Sequence, residues 1–190
     1  MSGARVLRAS ERVASPWSNG GGVTREIAAH PPGAGWDAFA WRVSLADVTR
    51  DGPYSPLPGI RRILTVVDGG GLELTVDGTP HLLSGRFRPF AFPGAAATDS
   101  RLLDGPVVNL NVMVREGRAR AGVEMVRGSG TVPPGEALVV ALEGGTEVSA
   151  PGELPVRLAR YDAALLTGAG RPDAEVRTAG VAAVIALSER

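Results

Sequence analysis

Short apolar runs broken by glycine and proline recur from end to end of the 190-residue chain, and few windows hold an apolar period of 3.6 residues. A helical bundle is therefore excluded. The pattern asks for many short strands closed into a sandwich or barrel, with few short helices. The runs are RVLRA (5–9), VTREIA (23–28), AWRVSLADV (40–48), IRRILTVVD (60–68), GLELTV (71–76), RPFAF (88–92), VVNLNVMVRE (107–116), ALVVALE (137–143), LPVRLAR (154–160), AALLT (163–167) and VAAVIAL (181–187). The 26 glycines and 15 prolines lie between them and are not gathered in a tail. Residues 68–80 read as a hairpin region, turning on the glycines at 69–71 and on Asp77-Gly78. One short helical turn is expected at 10–15, with Ser10 as its cap.

An internal echo refines this. LTVVDGGGLELTVDG and FRPFAFPG (within 64–94) run parallel to VVALEGGTEVSAPGE and ARYDAALLTG (within 139–168). Asp68-Gly69 aligns with Glu143-Gly144, and Gly94 with Gly168, across a one-residue gap. A fixed offset points to a duplicated supersecondary unit, although any two β-meanders share some of this grammar. The organisation expected is a larger first lobe, 1–118, and a smaller second lobe, 119–190, sharing a core as one compact unit.

Composition narrows the function classes. Hydrophobic residues are 44% and charged residues 21%, enough for a packed interior. The formal net charge is +0, with no basic block, so neither nucleic acid nor an anionic membrane is an expected partner. No membrane span and no signal-peptide core is visible, so the expected location is the cytoplasm. The chain has no cysteine, which removes disulfides, thiolate ligands and thiol nucleophiles. His30 and His81 share no metal-like spacing, so no metal and no cofactor is expected. No Gly-x-Ser-x-Gly elbow is present.

Strand alternation sorts the polar residues. In NLNVMVR, Asn109, Asn111, Met113 and Arg115 share a side opposite Leu110, Val112 and Val114. Asparagine is depleted in strands, so two at i and i+2 need a reason. Either this face lines a cleft that recognises a polar or carboxylate ligand, or it is a solvated outer face, or its amides tie down a neighbouring loop. Thr24 and Glu26 share a side of VTREIA, and Arg42 and Ser44 share one of AWRVSLADV. The triple glycine in WSNGGGVTREI precedes a strand, not a helix, and lacks Gly-Lys-Ser/Thr, which excludes a phosphate loop. It reads as a bend where backbone passes close to another segment, with Trp17 packed beside it.

PWSNGGGVTREIA, FAWRVSLADVTRDGPYSPLPGIRRILTVVDGGGLEL, FAFPG and GPVVNLNVMVREG together resemble the HutD/Ves family over about residues 5 to 185. That resemblance implies a cupin-type double-stranded β-helix barrel, duplicated as a bicupin, without the usual cupin metal histidines. It also implies a regulatory role in histidine degradation through binding a small carboxylate such as formylglutamate or urocanate. An acidic residue of the family pattern is replaced here by Asn109.

The expected ligand set is then Asn19, Thr24, Glu26, Arg42, Ser44, Arg62, Asn109, Asn111 and Arg115, walled by Trp17, Tyr54 and Phe92. Arg42 or Arg115 would clasp the carboxylate, and the asparagines would read amide or formyl groups. Binding is favoured over catalysis. The alternatives are a cofactor-free isomerase or hydrolase with Glu26 as general acid/base, and a protein-interaction module. A homodimer is left open as an assembly.

Overall fold

The computed structural model describes residues 3–168 and 172–189. In chain order its strands are β1 (Gly3–Leu7), β2 (Ala14–Pro16), β3 (Gly22–His30), β4 (Trp41–Val48), β5 (Gly52–Tyr54), β6 (Ile60–Asp68), β7 (Leu72–Val76), β8 (Thr79–Leu83) and β9 (Phe90–Pro93). They continue as β10 (Thr98–Leu102), β11 (Val107–Arg115), β12 (Ala119–Val132), β13 (Glu136–Glu143), β14 (Thr146–Ser149), β15 (Val156–Leu158), β16 (Ala163–Thr167) and β17 (Ala174–Glu189). Helix among the described residues is one 3-10 turn, Ala9–Glu11, with Arg8 at its cap position and no side-chain cap bond. Ser10 therefore lies inside the turn and does not cap it. Among the described residues no helix is long and apolar enough to cross a membrane.

The chain divides into two compact units. One is Val13–Ala119, and the described residues on either side of it make the other. This moves the beginning of the expected first lobe. β1 pairs antiparallel with β16, Val6 opposite Ala164, so the residues before Val13 belong with the C-terminal unit. Backbone pairing outweighs sequence proximity here, because β1 would otherwise be an unpaired edge.

In the Val13–Ala119 unit a six-stranded sheet, β2-β3-β4-β11-β6-β9, and a four-stranded sheet, β5-β10-β7-β8, surround a common core as a nearly closed barrel. Leu64, Val66, Leu72, Leu74 and Phe92 fill it. Leu64, Leu72 and Leu74 are completely buried, each contributing roughly 2 kcal/mol. The other unit has the sheet β1-β16-β13-β17-β14-β15, with β12 also on β17, around Ala137, Val139, Leu166, Val176 and Val184.

The expected hairpin at 68–80 is only half correct. β7 and β8 do form a two-residue hairpin on Asp77-Gly78, both at positive φ (46° and 80°). The glycines at 69–71 are instead a crossover, since β6 and β7 belong to different sheets. Gly69 has φ 92°, and a Cβ there would stand 2.4 Å from the Pro106 carbonyl oxygen. Gly144, its counterpart in the echo, has φ 71° and would meet Gly180 N at 2.9 Å. The echo extends to pairing. β6 pairs β9 and β7 pairs β8, as β13 pairs β16 and β14 pairs β15.

Candidate functional site: the interior face of the Val13–Ala119 barrel

Register carries the β11 asparagine face across its neighbours. Asn109 lies opposite Ala46 and Val66, Asn111 opposite Ser44 and Leu64, and Met113 opposite Arg42 and Arg62. β3 adds Thr24 opposite Ala46 and Glu26 opposite Ser44, and β9 adds Phe92 opposite Arg62. Residues directly opposite in an antiparallel ladder share a side of the sheet. This side also supplies Leu64, Val66 and Phe92 to the core, so its polar groups point inward. Asn109 is 0% exposed, Asn111 5% and Ser44 3%. The face is interior, not a solvated exterior.

Arg62 is the unusual member. It is 7% exposed, and its Cζ lies 5.0 Å from the centroid of the Tyr54 ring and 5.2 Å from that of Phe92. Its Nη2 donates to Asn111 Oδ1 over a long 3.4 Å, and its Nε is buried without a partner among the described residues. Among the described residues no carboxylate forms an ion pair with it. Burial pushes its pKa below the ordinary value, which Tyr54 opposes. The Tyr54 phenol is pushed up by burial, against Arg62 and hydrogen bonds from Ser100 and Asn109. Asn109 Nδ2 reaches the Tyr54 hydroxyl at 3.5 Å, while its Oδ1 is buried with no partner among the described residues.

Two ends of the face differ. At one, Arg42 pairs with Glu26 (Nη2–Oε2 2.8 Å) and lies 4.5 Å from the centroid of the half-exposed Trp36 ring. At the other, Trp17 Nε1 donates to Thr24 Oγ1 (2.8 Å), and the Trp17 ring meets Tyr54 edge-on at 5.9 Å. Arg62, Asn109, Asn111, Ser44, Tyr54 and Phe92 are thus brought together, with Glu26, Arg42, Thr24 and Trp17 around them.

Two expected ligand residues have other duties. Asn19 is exposed in the bend, and its Oδ1 accepts from Gly21 N at 2.9 Å. Its amide is consumed by the turn that brings Gly22 beneath Trp17, where a Cβ would stand 2.3 Å from the Asp47 carbonyl oxygen. Arg115 has the parity of the asparagines but donates from Nε to Phe39 O (3.0 Å) and from Nη2 to Trp36 O (2.8 Å). It pins the 36–39 segment and so sets Trp36 over Arg42.

Trp36, Ser100 and Met113 are neighbours of this face that sequence reasoning did not place in the site. Trp36 is isolated in a loop and carries no periodic signal. Ser100 lies on β10, where Thr98, Ser100 and Leu102 alternate with Asp99 and Arg101, an alternation hidden by residues uncommon in strands. Met113 was on the right face but uncharged.

A broad recess of about 990 Å³ lies elsewhere, in the C-terminal unit, lined among others by Gly128, Thr131, Thr146, Arg157 and Arg177. Its arginines are exposed and paired, Arg157 with Glu147 (3.3 Å) and Arg177 with Glu175 (3.2 Å). Exposed pairs of this kind hold little free energy for a ligand, so the interior face is the stronger site. No three His, Asp or Glu side chains converge among the described residues as a metal cluster would.

Known proteins share this architecture and sequence. An uncharacterised 21.2 kDa protein of the hutC 3' region of Pseudomonas putida is 36% identical over 170 residues, 88% of this chain and 89% of that protein. Protein Ves of Citrobacter koseri is 37% identical over 111 residues, 57% of this chain and 56% of its own. The structure of HutD from Pseudomonas fluorescens SBW25 superposes with a TM-score of 0.86 at 34% identity, covering 99% of this chain and 100% of that one. A cupin 2 conserved barrel domain protein from Leptotrichia buccalis, 13% identical, superposes with a TM-score of 0.59 over 98% of this chain and 96% of that one, which shows the cupin fold. The HutD family model itself matches residues 9–184, and the chain belongs to the HutD family.

Proposed function

We propose that the Val13–Ala119 barrel binds a small carboxylate metabolite without a metal, and that its occupancy serves a regulatory role in histidine utilisation. The ligand class is formylglutamate- or urocanate-like, and the setting is the cytoplasm. The observation that carries this reading is Arg62, a buried guanidinium with no carboxylate partner among the described residues and an unpaired Nε. Guanidinium keeps its proton in proteins, and a buried charge without a counter-ion costs several kcal/mol. A ligand carboxylate removes that cost and can accept two parallel N–H bonds. The names of the relatives, one from a hutC region and one HutD, support the metabolic setting. The shared pairing pattern of the two units supports a duplicated, bicupin reading of the chain.

Glu26 as a catalytic acid or base is the weaker reading, because Arg42 already holds its carboxylate at 2.8 Å. The test is thermal unfolding with formylglutamate and urocanate at millimolar concentration. A ligand at about 100 times its Kd adds about 2.7 kcal/mol, worth several degrees for a protein of this size. The rise is expected in the native protein and absent in Arg62→Met. No rise with either acid overturns the proposal.

A further inference from the structure

We infer that the ligand of this barrel carries, in addition to its carboxylate, an O–H or N–H donor that Asn109 accepts. The inference rests on the carboxylate reading above and sharpens it into a ligand class. Asn109 Oδ1 is fully buried and accepts from nothing among the described residues, while Nδ2 of the same amide faces the Tyr54 hydroxyl at 3.5 Å. A buried carbonyl oxygen left unpaired is costly, and native interiors rarely keep one without a use.

The placement of the two unpaired groups gives the ligand its shape. The Arg62 guanidinium lies against the Tyr54 ring, 5.0 Å from its centroid. Asn109 stands at the hydroxyl end of that same ring. The guanidinium bonds Asn111, one row of the sheet from Asn109, so the carboxylate and the donor would meet neighbouring rows of the same face. A plain aliphatic acid satisfies Arg62 and leaves Asn109 Oδ1 unpaired. A hydroxy acid or an N-acyl amino acid of the right length satisfies both. A site that hydrogen-bonds a donor rejects the analogue lacking it far more strongly than an apolar pocket rejects a methylene.

The test uses the full chain and a series of linear ω-hydroxy acids from glycolate to 5-hydroxypentanoate. Each is paired with the acid in which a methyl replaces the hydroxyl, propionate to hexanoate. Affinities are measured by calorimetry or ligand-observed NMR. At one or two chain lengths the hydroxy acid is expected to bind about tenfold or more tightly than its methyl partner. Asn109→Leu should erase that preference while the methyl-ended acids keep their affinity. If Asn109→Leu does not fold, Asn109→Asp, whose oxygens both accept, should retain the preference. Arg62-dependent binding with equal affinity in every pair overturns this inference and leaves the carboxylate reading standing. No Arg62-dependent binding by any acid of the series overturns this inference, and the carboxylate reading falls with it only if formylglutamate and urocanate also give no thermal rise.

Discussion

A guanidinium in a protein interior keeps its charge, and at Arg62 nothing among the described residues neutralises it. Tyr54 and Phe92 give it ring faces at 5.0 Å and 5.2 Å, a partial compensation. The residue is thus expected to cost stability in the unliganded protein. Arg62→Met keeps most of the stem volume and removes the buried charge. The unliganded variant is predicted to be more stable than the native protein by about 1–3 kcal/mol, read as a raised urea midpoint at constant slope. A loss of stability instead would mean that Arg62 is held for packing and not for a ligand. Glu26 and Arg42 form the contrasting case. They are paired at 2.8 Å near the wetter end of the face, so each already has its counter-charge.

At the level of elements, the crossovers between sheets decide whether the barrel closes. Gly69 combines φ 92° with a Cβ position 2.4 Å from the Pro106 carbonyl oxygen, and neither can be relieved by a side-chain rotation. Gly69→Ala is predicted to destabilise by about 2 kcal/mol or more in chemical denaturation. Gly145→Ala is the control: a Cβ there meets nothing within 4 Å, and the change should be within about 1 kcal/mol. The aligned Asp68-Gly69 and Glu143-Gly144 made both connections visible in the sequence, but not their nature: β13 and β14 stay in one sheet, on either side of β17. Three glycines between apolar runs look like a hairpin turn, and only pairing shows that β6 and β7 join different sheets. The strands that escaped sequence reading are those lacking strand chemistry. β2, whose first two residues fall in the stretch expected as a helical turn, and β5 are each three residues with a proline, β10 carries Asp99 and Ser100, and β12 holds glycines and charges throughout. The asparagine face was legible because parity on β11 is a local property. Whether it turned inward was not, because that depends on what β4 and β6 place beside it. Arg115 shows the limit of parity, since loop carbonyls beyond the strand end captured it.

Across the whole chain, the first strand is held by residues some 150 positions away, and one carboxylate does much of the holding. Asp162 accepts from Ala9 N (2.8 Å), Arg8 Nη1 (2.7 Å) and Ala159 N (3.2 Å), joining the segment after β1 to the turn before β16. Burial by itself would raise the Asp162 pKa. The hydrogen bonds from Ala9, Arg8 and Ala159, with the Arg8 charge, outweigh it and hold the carboxyl below its ordinary value. A carboxyl depressed in the folded state binds its proton more readily when unfolded. It therefore contributes stability that is fully present above the unfolded value of about 3.9 and is lost as pH falls through the folded value. Asp162→Asn cannot titrate and cannot accept as strongly from Arg8. The variant is predicted to be less stable than the native protein at pH 7, and the gap between their urea midpoints should narrow as pH is lowered from 5 toward 3. A gap that stays constant over that range would show that Asp162 acts by shape alone. Because β1 pairs with a strand far along the chain, closing this contact carries the larger loop-closure entropy of a long-range pairing, which the Asp162 hydrogen bonds help to offset.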